Sequence, residues 1–148
     1  YAALPAYLRE RLANRRIRCS YEKTRAVPGD GVNTLSAAEM AEHPTVEHPV
    51  VRRHPDRDGA CSLYISPVNM VGFTDLDEKA SQALLDDVLA WATQDRFVYE
   101  HRWQAGDVVM WDNRCTMHRV LGYDKQRHRR TMHRTALAGE VPVLAPTS

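Results

Sequence analysis

The sequence predicts a mainly β fold with flanking helices. Residues 97–103 alternate in polarity, residues 104–107 read as a turn, and residues 108–111 are an apolar run. This pattern is typical of two strands joined as a hairpin. Residues 77–94 instead carry apolar side chains at helical spacing, with acidic residues at the start that complement the helix dipole. We therefore expect a sheet with this helix packed on its outside.

The first third of the chain predicts shorter elements. Residues 4–14 place apolar side chains on one helical face, and residues 15–21 alternate weakly, as in a strand. Residues 22–33 are rich in Pro and Gly and are expected to form a loop. Ser36 and Glu39 have the spacing of a capping box, which predicts one helical turn after them.

Four more segments are predicted to be strands. Residues 48–54 and 61–66 form a hairpin across the polar turn at 56–59. Residues 116–120 resume extended structure after a polar turn, and residues 129–137 contain neither Gly nor Pro.

The predicted strand at 129–137 carries two arginines on one face. Side chains alternate along a strand, so Arg130 and Arg134 point the same way, with Cα atoms roughly 13 Å apart. A guanidinium binds a carboxylate through two parallel hydrogen bonds and stays charged at any working pH. The pair suits a small acid with two anionic groups, but a solvated basic edge is the alternative.

His118 lies in the predicted strand at 116–120, beside a tight turn. A histidine in such a place is either a metal ligand or an ordinary hydrogen-bonded side chain, and one histidine defines no metal. The spacing of residues leaves both interpretations open.

The composition indicates one globular domain or part of one. The chain has 148 residues, 43% of them hydrophobic and 26% charged, with a net charge of +1. This balance gives no reason to expect nucleic acid or an anionic membrane as a partner. No apolar run approaches the length of a membrane span, and only alternate members of the basic run 127–134 face one side.

Cysteine usage favours a reducing, cytoplasmic environment. The three cysteines are an odd number without Cys-x-x-Cys spacing, so neither a disulfide framework nor a zinc site is indicated. Cys115 lies three residues before His118 and is interpreted as a small buried hydrophobic residue.

Several motifs together resemble a known family. The sequence WDNR, then His118, a Tyr-Asp loop, an Arg-Arg pair and Met-His-Arg are similar to the C-terminal signature of the taurine and 2,4-dichlorophenoxyacetate dioxygenases. These are Fe(II)- and 2-oxoglutarate-dependent oxygenases. The resemblance extends through the segments HPVVR, SLYI and YEHRWQAGD and covers most of the chain. It implies a double-stranded β-helix of the jelly-roll, cupin-like type, with residues 1–148 as a single partial domain holding its C-terminal half.

The resemblance also implies roles for individual residues. His118 matches the distal iron ligand, Arg130 the arginine that binds the far carboxylate of 2-oxoglutarate, and Arg134 an arginine that reaches toward the acidic substrate. In the family an upstream His-x-Asp pair completes the iron site. The triplet at 54–56 has this pattern but lies where the family has a His-Pro turn, so we do not assign it to iron. We therefore expect a C-terminal fragment that lacks the pair and is inactive and poorly soluble alone.

The implied reaction is hydroxylation of a small acidic substrate by O2, with release of succinate and CO2 from 2-oxoglutarate. Sulfonates, aryloxyalkanoates and alkyl sulfates are the substrate types that the resemblance suggests. The sequence specifies neither the primary substrate nor the oligomeric state, although a homo-oligomer is compatible with it. The alternative function is a non-catalytic, cupin-like module that binds a small acid.

Overall fold

The computed structural model describes residues 1–25, 35–124, 126–138 and 143–145. The elements in chain order are helix α1 (Ala6–Leu12), strand β1 (Arg16–Cys19), helices α2 (Tyr21–Arg25) and α3 (Ala37–Glu42), strands β2 (Val46–Pro49), β3 (Val51–Arg53), β4 (Cys61–Leu63) and β5 (Met70–Phe73), helix α4 (Glu78–Ala92), and a 3-10 turn (Asp95–Phe97).

An antiparallel three-stranded sheet forms the centre, in the order β2-β1-β5. In the central strand β1, Ile17 pairs with His48 of β2 on one side and with Phe73 of β5 on the other. Ile17 and Cys19 are buried while Arg16 and Arg18 are not, which is the alternation of a strand with one face on the core. The predicted strand at 15–21 is confirmed for residues 16–19, whereas Tyr21 is the first residue of α2.

Helices α1 and α4 contribute their apolar faces to the same core. Leu8 and Leu12 of α1 and Val88 of α4 are fully buried, together with Ile17 and Phe73 of the sheet. Both helices were predicted from the spacing of these apolar residues, and both are confirmed. The core therefore fixes the sheet against two helices.

A second, two-stranded antiparallel sheet pairs β3 with β4, so that Val51 lies opposite Leu63. The free side of β3 receives residues 143–145. Arg53 N donates to Val143 O at 3.1 Å, and Ala145 N donates to Val51 O at 3.2 Å. The predicted hairpin across residues 56–59 is confirmed.

The predicted single strand at 48–54 is instead two strands in different sheets. The change falls at Val50, whose N–H donates to Arg15 O at 3.0 Å and whose carbonyl accepts from Tyr64 N at 2.7 Å. The backbone of Val50 therefore bonds to the segment before β1 on one side and to the segment after β4 on the other. This switch joins the two sheets.

The capping box is confirmed, and the loop prediction for residues 22–33 needs correction. Glu39 N donates to Ser36 Oγ at 3.3 Å and Ser36 N donates to Glu39 Oε2 at 2.9 Å, which closes both halves of the box at α3. Residues 22–25 belong to α2 rather than to a loop. The rest of the predicted loop, residues 26–33, lies outside the described residues.

The strands predicted at 97–103, 108–111, 116–120 and 129–137 are not formed in the described part of the chain. A strand exists only when a neighbour accepts and donates its backbone hydrogen bonds, and the backbone hydrogen bonds found in these segments of the described chain are local ones within turns. More described residues consequently lie in helices than in strands, so the mainly β composition is not observed in this chain.

The unpaired segments leave apolar side chains in contact with solvent. Val108 is 93% exposed, Met110 94% and Leu137 98%. The turn between the first two segments is nevertheless formed as predicted, since Asp107 N donates to Gln104 O at 3.2 Å and Gly106 has a φ of +92°.

Candidate functional site

The WDNR motif folds into a compact turn around the Asp112 carboxylate. Arg114 N donates to Asp112 Oδ1 at 2.8 Å, and the Arg114 guanidinium donates to both carboxylate oxygens at 2.8–3.0 Å. The Asp112 carbonyl accepts from Thr116 Oγ1 at 2.6 Å and from Thr116 N at 3.0 Å. Residues 112–116, which we call the WDNR turn, are thus closed by their own side chains.

Three contacts attach the WDNR turn to the β3–β4 hairpin. Arg114 Nη2 donates to Asp56 Oδ2 at 2.6 Å, in the loop between the two strands. The buried Ser62 hydroxyl of β4 donates to the Arg114 carbonyl at 3.0 Å. His54 Nε2, directly after β3, lies 3.3 Å from Asp112 Oδ2. The hairpin therefore holds the turn through the start of its loop, at His54 and Asp56, and through Ser62 of β4.

The charges at this attachment are complementary and persistent. The hydrogen bonds that Arg114 donates hold the pKa of the Asp112 carboxyl far below its usual range. The pKa of Arg114 is raised in turn, first by its hydrogen bonds to Asp112 and then by that to Asp56. Asp112 is therefore a carboxylate, and Arg114 a cation, across the whole working range of pH.

The hydrogen bonds of His54 define its tautomer. Asp56 N donates to His54 Nδ1 at 3.2 Å, so Nδ1 carries a lone pair rather than a proton. The proton of the neutral ring is then on Nε2, which faces the Asp112 carboxylate. The His54 side chain is only 9% exposed, so the protein and not the solvent sets this orientation.

His118 lies two residues after the WDNR turn and contacts Trp111, the residue directly before the turn. The rings of Trp111 and His118 have centroids 4.8 Å apart and are inclined at 52°. The indole N–H of Trp111 donates to Asn113 Oδ1 at 2.9 Å, which fixes the indole against the turn. The imidazole of His118 is otherwise exposed. The Trp111 ring therefore links the orientation of His118 to the turn.

The other two predicted site residues, Arg130 and Arg134, are exposed in a segment without strand pairing. No hydrogen bond or ion pair among the described residues joins either arginine to His118. Among the described residues, the structure thus shows no direct bond between His118 and either arginine. Each of them stays a prediction.

The residues His54, Asp112 and Cys115 form the one group of potential metal ligands found in the described ranges, with ligand atoms within 4.8 Å of one another. Their chemistry does not suit a cation. Asp112 is already bound to the Arg114 guanidinium, and the proton on His54 Nε2 occupies the nitrogen that would face the ion. Burial, and then the charge of Asp112, raise the pKa of the Cys115 thiol, which opposes the thiolate that a metal needs. We interpret the group as neighbours of the Asp112–Arg114 ion pair rather than as a metal site.

The prediction that Cys115 is a buried hydrophobic residue is wrong. Its side chain is exposed, because the WDNR turn lies on the surface of the hairpin and directs Cys115 outward. Cys19 has the buried environment instead, and burial raises the pKa of its thiol to about 11.

A buried arginine, Arg52, lies in the middle of β3, paired with Ser62 of β4. The guanidinium of Arg52 lies over the Tyr64 ring at 4.6 Å from the centroid, and His48 contacts the same ring edge-on at 5.0 Å. Burial lowers the pKa of His48, and the charges of Arg52 and Arg16 lower it further. Burial raises the pKa of Tyr64. The cluster keeps both ring groups neutral, with the Tyr64 ring against the Arg52 cation and His48 against the Tyr64 ring.

A cleft of about 310 Å³ lies beside the end of β1, between Cys19, His43, His48 and Asn69. The buried Asn69 Oδ1 has no hydrogen-bond partner in the described structure. None of the predicted site residues lines this cleft, so it is not the site that the sequence indicated.

Comparison with known proteins identifies the family. A sequence model described as "Taurine catabolism dioxygenase TauD, TfdA family" matches residues 1–136. The chain is 36% identical over 137 residues to the alpha-ketoglutarate-dependent 2,4-dichlorophenoxyacetate dioxygenase of Cupriavidus pinatubonensis, covering 93% of this chain and 46% of the relative. It is 39% identical over 98 residues to the alpha-ketoglutarate-dependent sulfate ester dioxygenase of Pseudomonas putida, covering 66% and 31% respectively.

A solved structure agrees with this assignment. The crystal structure of AAD-2 in complex with Mn(II) and N-oxalylglycine superimposes with a TM-score of 0.73 at 32% identity, covering 85% of this chain and 48% of that one. The match covers nearly the whole sequence, and the chain therefore belongs to the taurine catabolism dioxygenase TauD, TfdA family.

The chain spans less than half the length of the relatives it matches. None of the helices in the described part of the chain combines the length and the apolar character needed to cross a lipid bilayer.

Proposed function

We propose that the chain contributes to an Fe(II)- and 2-oxoglutarate-dependent dioxygenase that hydroxylates a small acidic substrate of the sulfonate, aryloxyalkanoate or alkyl sulfate type. The main support for the proposal is the match between the family model and residues 1–136 of this chain. Relatives named for 2,4-dichlorophenoxyacetate and for sulfate esters support the substrate class. The double-stranded β-helix is part of the same proposal, in which the segments unpaired here gain strand partners.

In this proposal His118 is one iron ligand and the other two lie outside the 148 residues. In the ranges that the structure describes, His118 does not join a group of three potential ligands. The chain alone therefore does not fit a complete iron site, and we expect it to be inactive by itself. Iron and 2-oxoglutarate, when bound, would enable O2 to oxidise the substrate.

The two exposed arginines are proposed to bind the anionic groups. Arg130 pairs with the far carboxylate of 2-oxoglutarate, and Arg134 reaches toward the acidic group of the substrate. Both side chains are exposed and neither has an ion-pair partner among the described residues, so their guanidinium donors are available. A guanidinium is suited to this task because it binds a carboxylate with two parallel hydrogen bonds.

The experiment uses the polypeptide encoded by the complete open reading frame. We expect Fe(II)-dependent formation of succinate from 2-oxoglutarate, and loss of both succinate formation and bound iron in His118→Ala. His128→Ala is the matched control, because His128 is another exposed histidine of the same segment, and it should retain both. Full retention of iron and activity in His118→Ala would reject the ligand role. Absence of succinate with every acid tested in the unaltered polypeptide would reject the function.

A further inference from the structure

The candidate iron ligand depends on a turn that the β3–β4 hairpin holds in place. The chain of contacts runs from His54 and Ser62 of the hairpin to Asp112 and Arg114 of the WDNR turn. Within the turn, the Asp112 carbonyl accepts two hydrogen bonds from Thr116, two residues before His118.

A second path reaches His118 from the start of the motif. Trp111 precedes the turn, is bonded to Asn113 of the turn, and contacts the His118 ring at 4.8 Å between centroids. The backbone after the turn and the indole before it therefore both transmit the turn's position to His118. The β3–β4 hairpin is the one described element that the turn's side chains reach.

On the hairpin side of this attachment, the contacting side chains are buried and held by hydrogen bonds. His54 is almost fully buried, its Nδ1 is held by Asp56 N, and its Nε2 is thereby directed at Asp112. The Ser62 hydroxyl is buried and donates to a backbone carbonyl, so it has little freedom to choose another partner. Arg114 adds an ion pair to Asp56, on the same loop as His54.

We propose that His54 is a positioning residue for iron binding, which acts with Ser62 to hold the WDNR turn and so orient His118. This inference rests on the proposed function, since it assumes that His118 binds iron. His54 itself does not touch the metal, because its Nε2 proton faces Asp112. Residues that orient a metal ligand through an intermediate contact commonly change metal affinity by about 10–100-fold when they are removed.

The test compares His54→Ala, His54→Gln and Ser62→Ala in the polypeptide encoded by the complete open reading frame. His54→Ala and Ser62→Ala each remove one attachment, and we expect each to weaken Fe(II) binding about tenfold. His54→Gln retains an N–H that reaches toward Asp112 and should restore most of the affinity. Arg53→Ala is the control, because the Arg53 side chain is exposed on the same hairpin, and it should leave Fe(II) affinity unchanged.

Hydrogen exchange separates positioning from a general loss of stability. In His54→Ala we expect faster amide exchange of residues 112–118, because the N–H groups of Arg114, Cys115 and Thr116 all bond to Asp112. Exchange in α4 should stay unchanged. Faster exchange throughout the protein, or unaltered Fe(II) affinity in both His54→Ala and Ser62→Ala, would overturn the inference. Failure of the unaltered polypeptide to bind Fe(II) would instead reject the proposed function, together with the part of the inference that concerns iron.

Discussion

The Ser81 hydroxyl of α4 accepts a hydrogen bond from the backbone N–H of Phe73 in β5 at 3.1 Å, and both residues are buried. Phe73 lies in the edge strand β5 opposite Ile17, and the next residue, Thr74, donates its N–H to Arg16 O at 3.0 Å, so the N–H of Phe73 points away from β1 toward the open edge of the sheet. A side chain of the helix thus completes the hydrogen bonding of the sheet edge. Gly72 permits the close approach, because a Cβ there would lie 3.3 Å from Ser81 Oγ.

We expect Ser81→Ala to lower the free energy of unfolding by about 1–3 kcal/mol, because it leaves the buried Phe73 N–H without an acceptor. Urea denaturation of the 148-residue chain measures the change. Lys79→Ala, an exposed substitution in the first turn of the same helix, should change the free energy by less than about 0.5 kcal/mol. Equal effects of the two substitutions would show that the hydrogen bond contributes nothing specific.

The helix start gives a second prediction. Asp77 Oδ1 accepts from Ala80 N at 2.7 Å and so caps α4. Asp77→Ala should cost about 0.5–2 kcal/mol of stability, whereas Asp77→Asn should cost much less, because an Asn side chain caps a helix about as well as Asp. Thermal unfolding of the three proteins followed by circular dichroism tests the order. A loss in Asp77→Asn as large as that in Asp77→Ala would attribute the effect to charge and not to the cap.

The lowered pKa of Asp112 predicts how the stability of the folded chain changes at acidic pH. Its value in the folded chain is lowered by the Arg114 hydrogen bonds below the unfolded value of about 3.9. A lowered carboxyl pKa contributes stability that is fully present above the unfolded pKa and is lost as pH falls through the folded pKa. The stability difference between the unaltered chain and Asp112→Asn should therefore be constant from pH 5 to 7 and shrink below about pH 4. A stability difference that stays constant down to pH 2 would contradict the contribution of ionised Asp112 to stability.

Local signals in the sequence were sufficient for helices α1, α3 and α4 and for the turns, whereas helix α2 was missed. The capping box at Ser36 and Glu39, the Asp77 start of α4 and the turn ending at Asp107 each depend on residues within four positions of one another. Their hydrogen bonds can form without the rest of the fold. This is why the sequence predicted them correctly.

Contacts between distant residues were not predictable in the same way. The switch of sheets at Val50 depends on Arg15 and Tyr64 as partners, and the pairing of His54 with Asp112 joins residues far apart in the chain. The sequence showed a His-Pro turn and a WDNR turn but carried no signal that they touch. Strands that require partners, such as that predicted at 129–137, failed for the same reason, since their formation depends on neighbours that the described chain does not provide.

The three thiols should react at different rates. Cys115 is exposed and Cys61 is partly buried, whereas Cys19 is buried with a pKa of about 11. Because the reagent needs an accessible thiolate, iodoacetamide at pH 8 should alkylate the exposed Cys115 before the buried Cys19, which should react only after unfolding. Mass spectrometry of peptides taken at successive times measures the order. Alkylation of Cys19 as fast as Cys115 in the folded chain would contradict the burial of β1.

The proposed role of Arg130 can be tested by its effect on the cosubstrate alone. In the polypeptide encoded by the complete open reading frame, Arg130→Gln should raise the KM for 2-oxoglutarate by about 10–100-fold, because a charge-assisted hydrogen bond to a carboxylate contributes about 1.5–3 kcal/mol. Arg130→Lys keeps the charge but not the two parallel donors. Its KM for 2-oxoglutarate should therefore lie between that of the unaltered polypeptide and that of Arg130→Gln. Arg129→Gln is the matched control at the neighbouring exposed position and should leave this KM unchanged. Fe(II) affinity should stay the same in all three variants, since the guanidinium binds the acid and not the metal. A raised KM in Arg129→Gln with none in Arg130→Gln would move the role to Arg129.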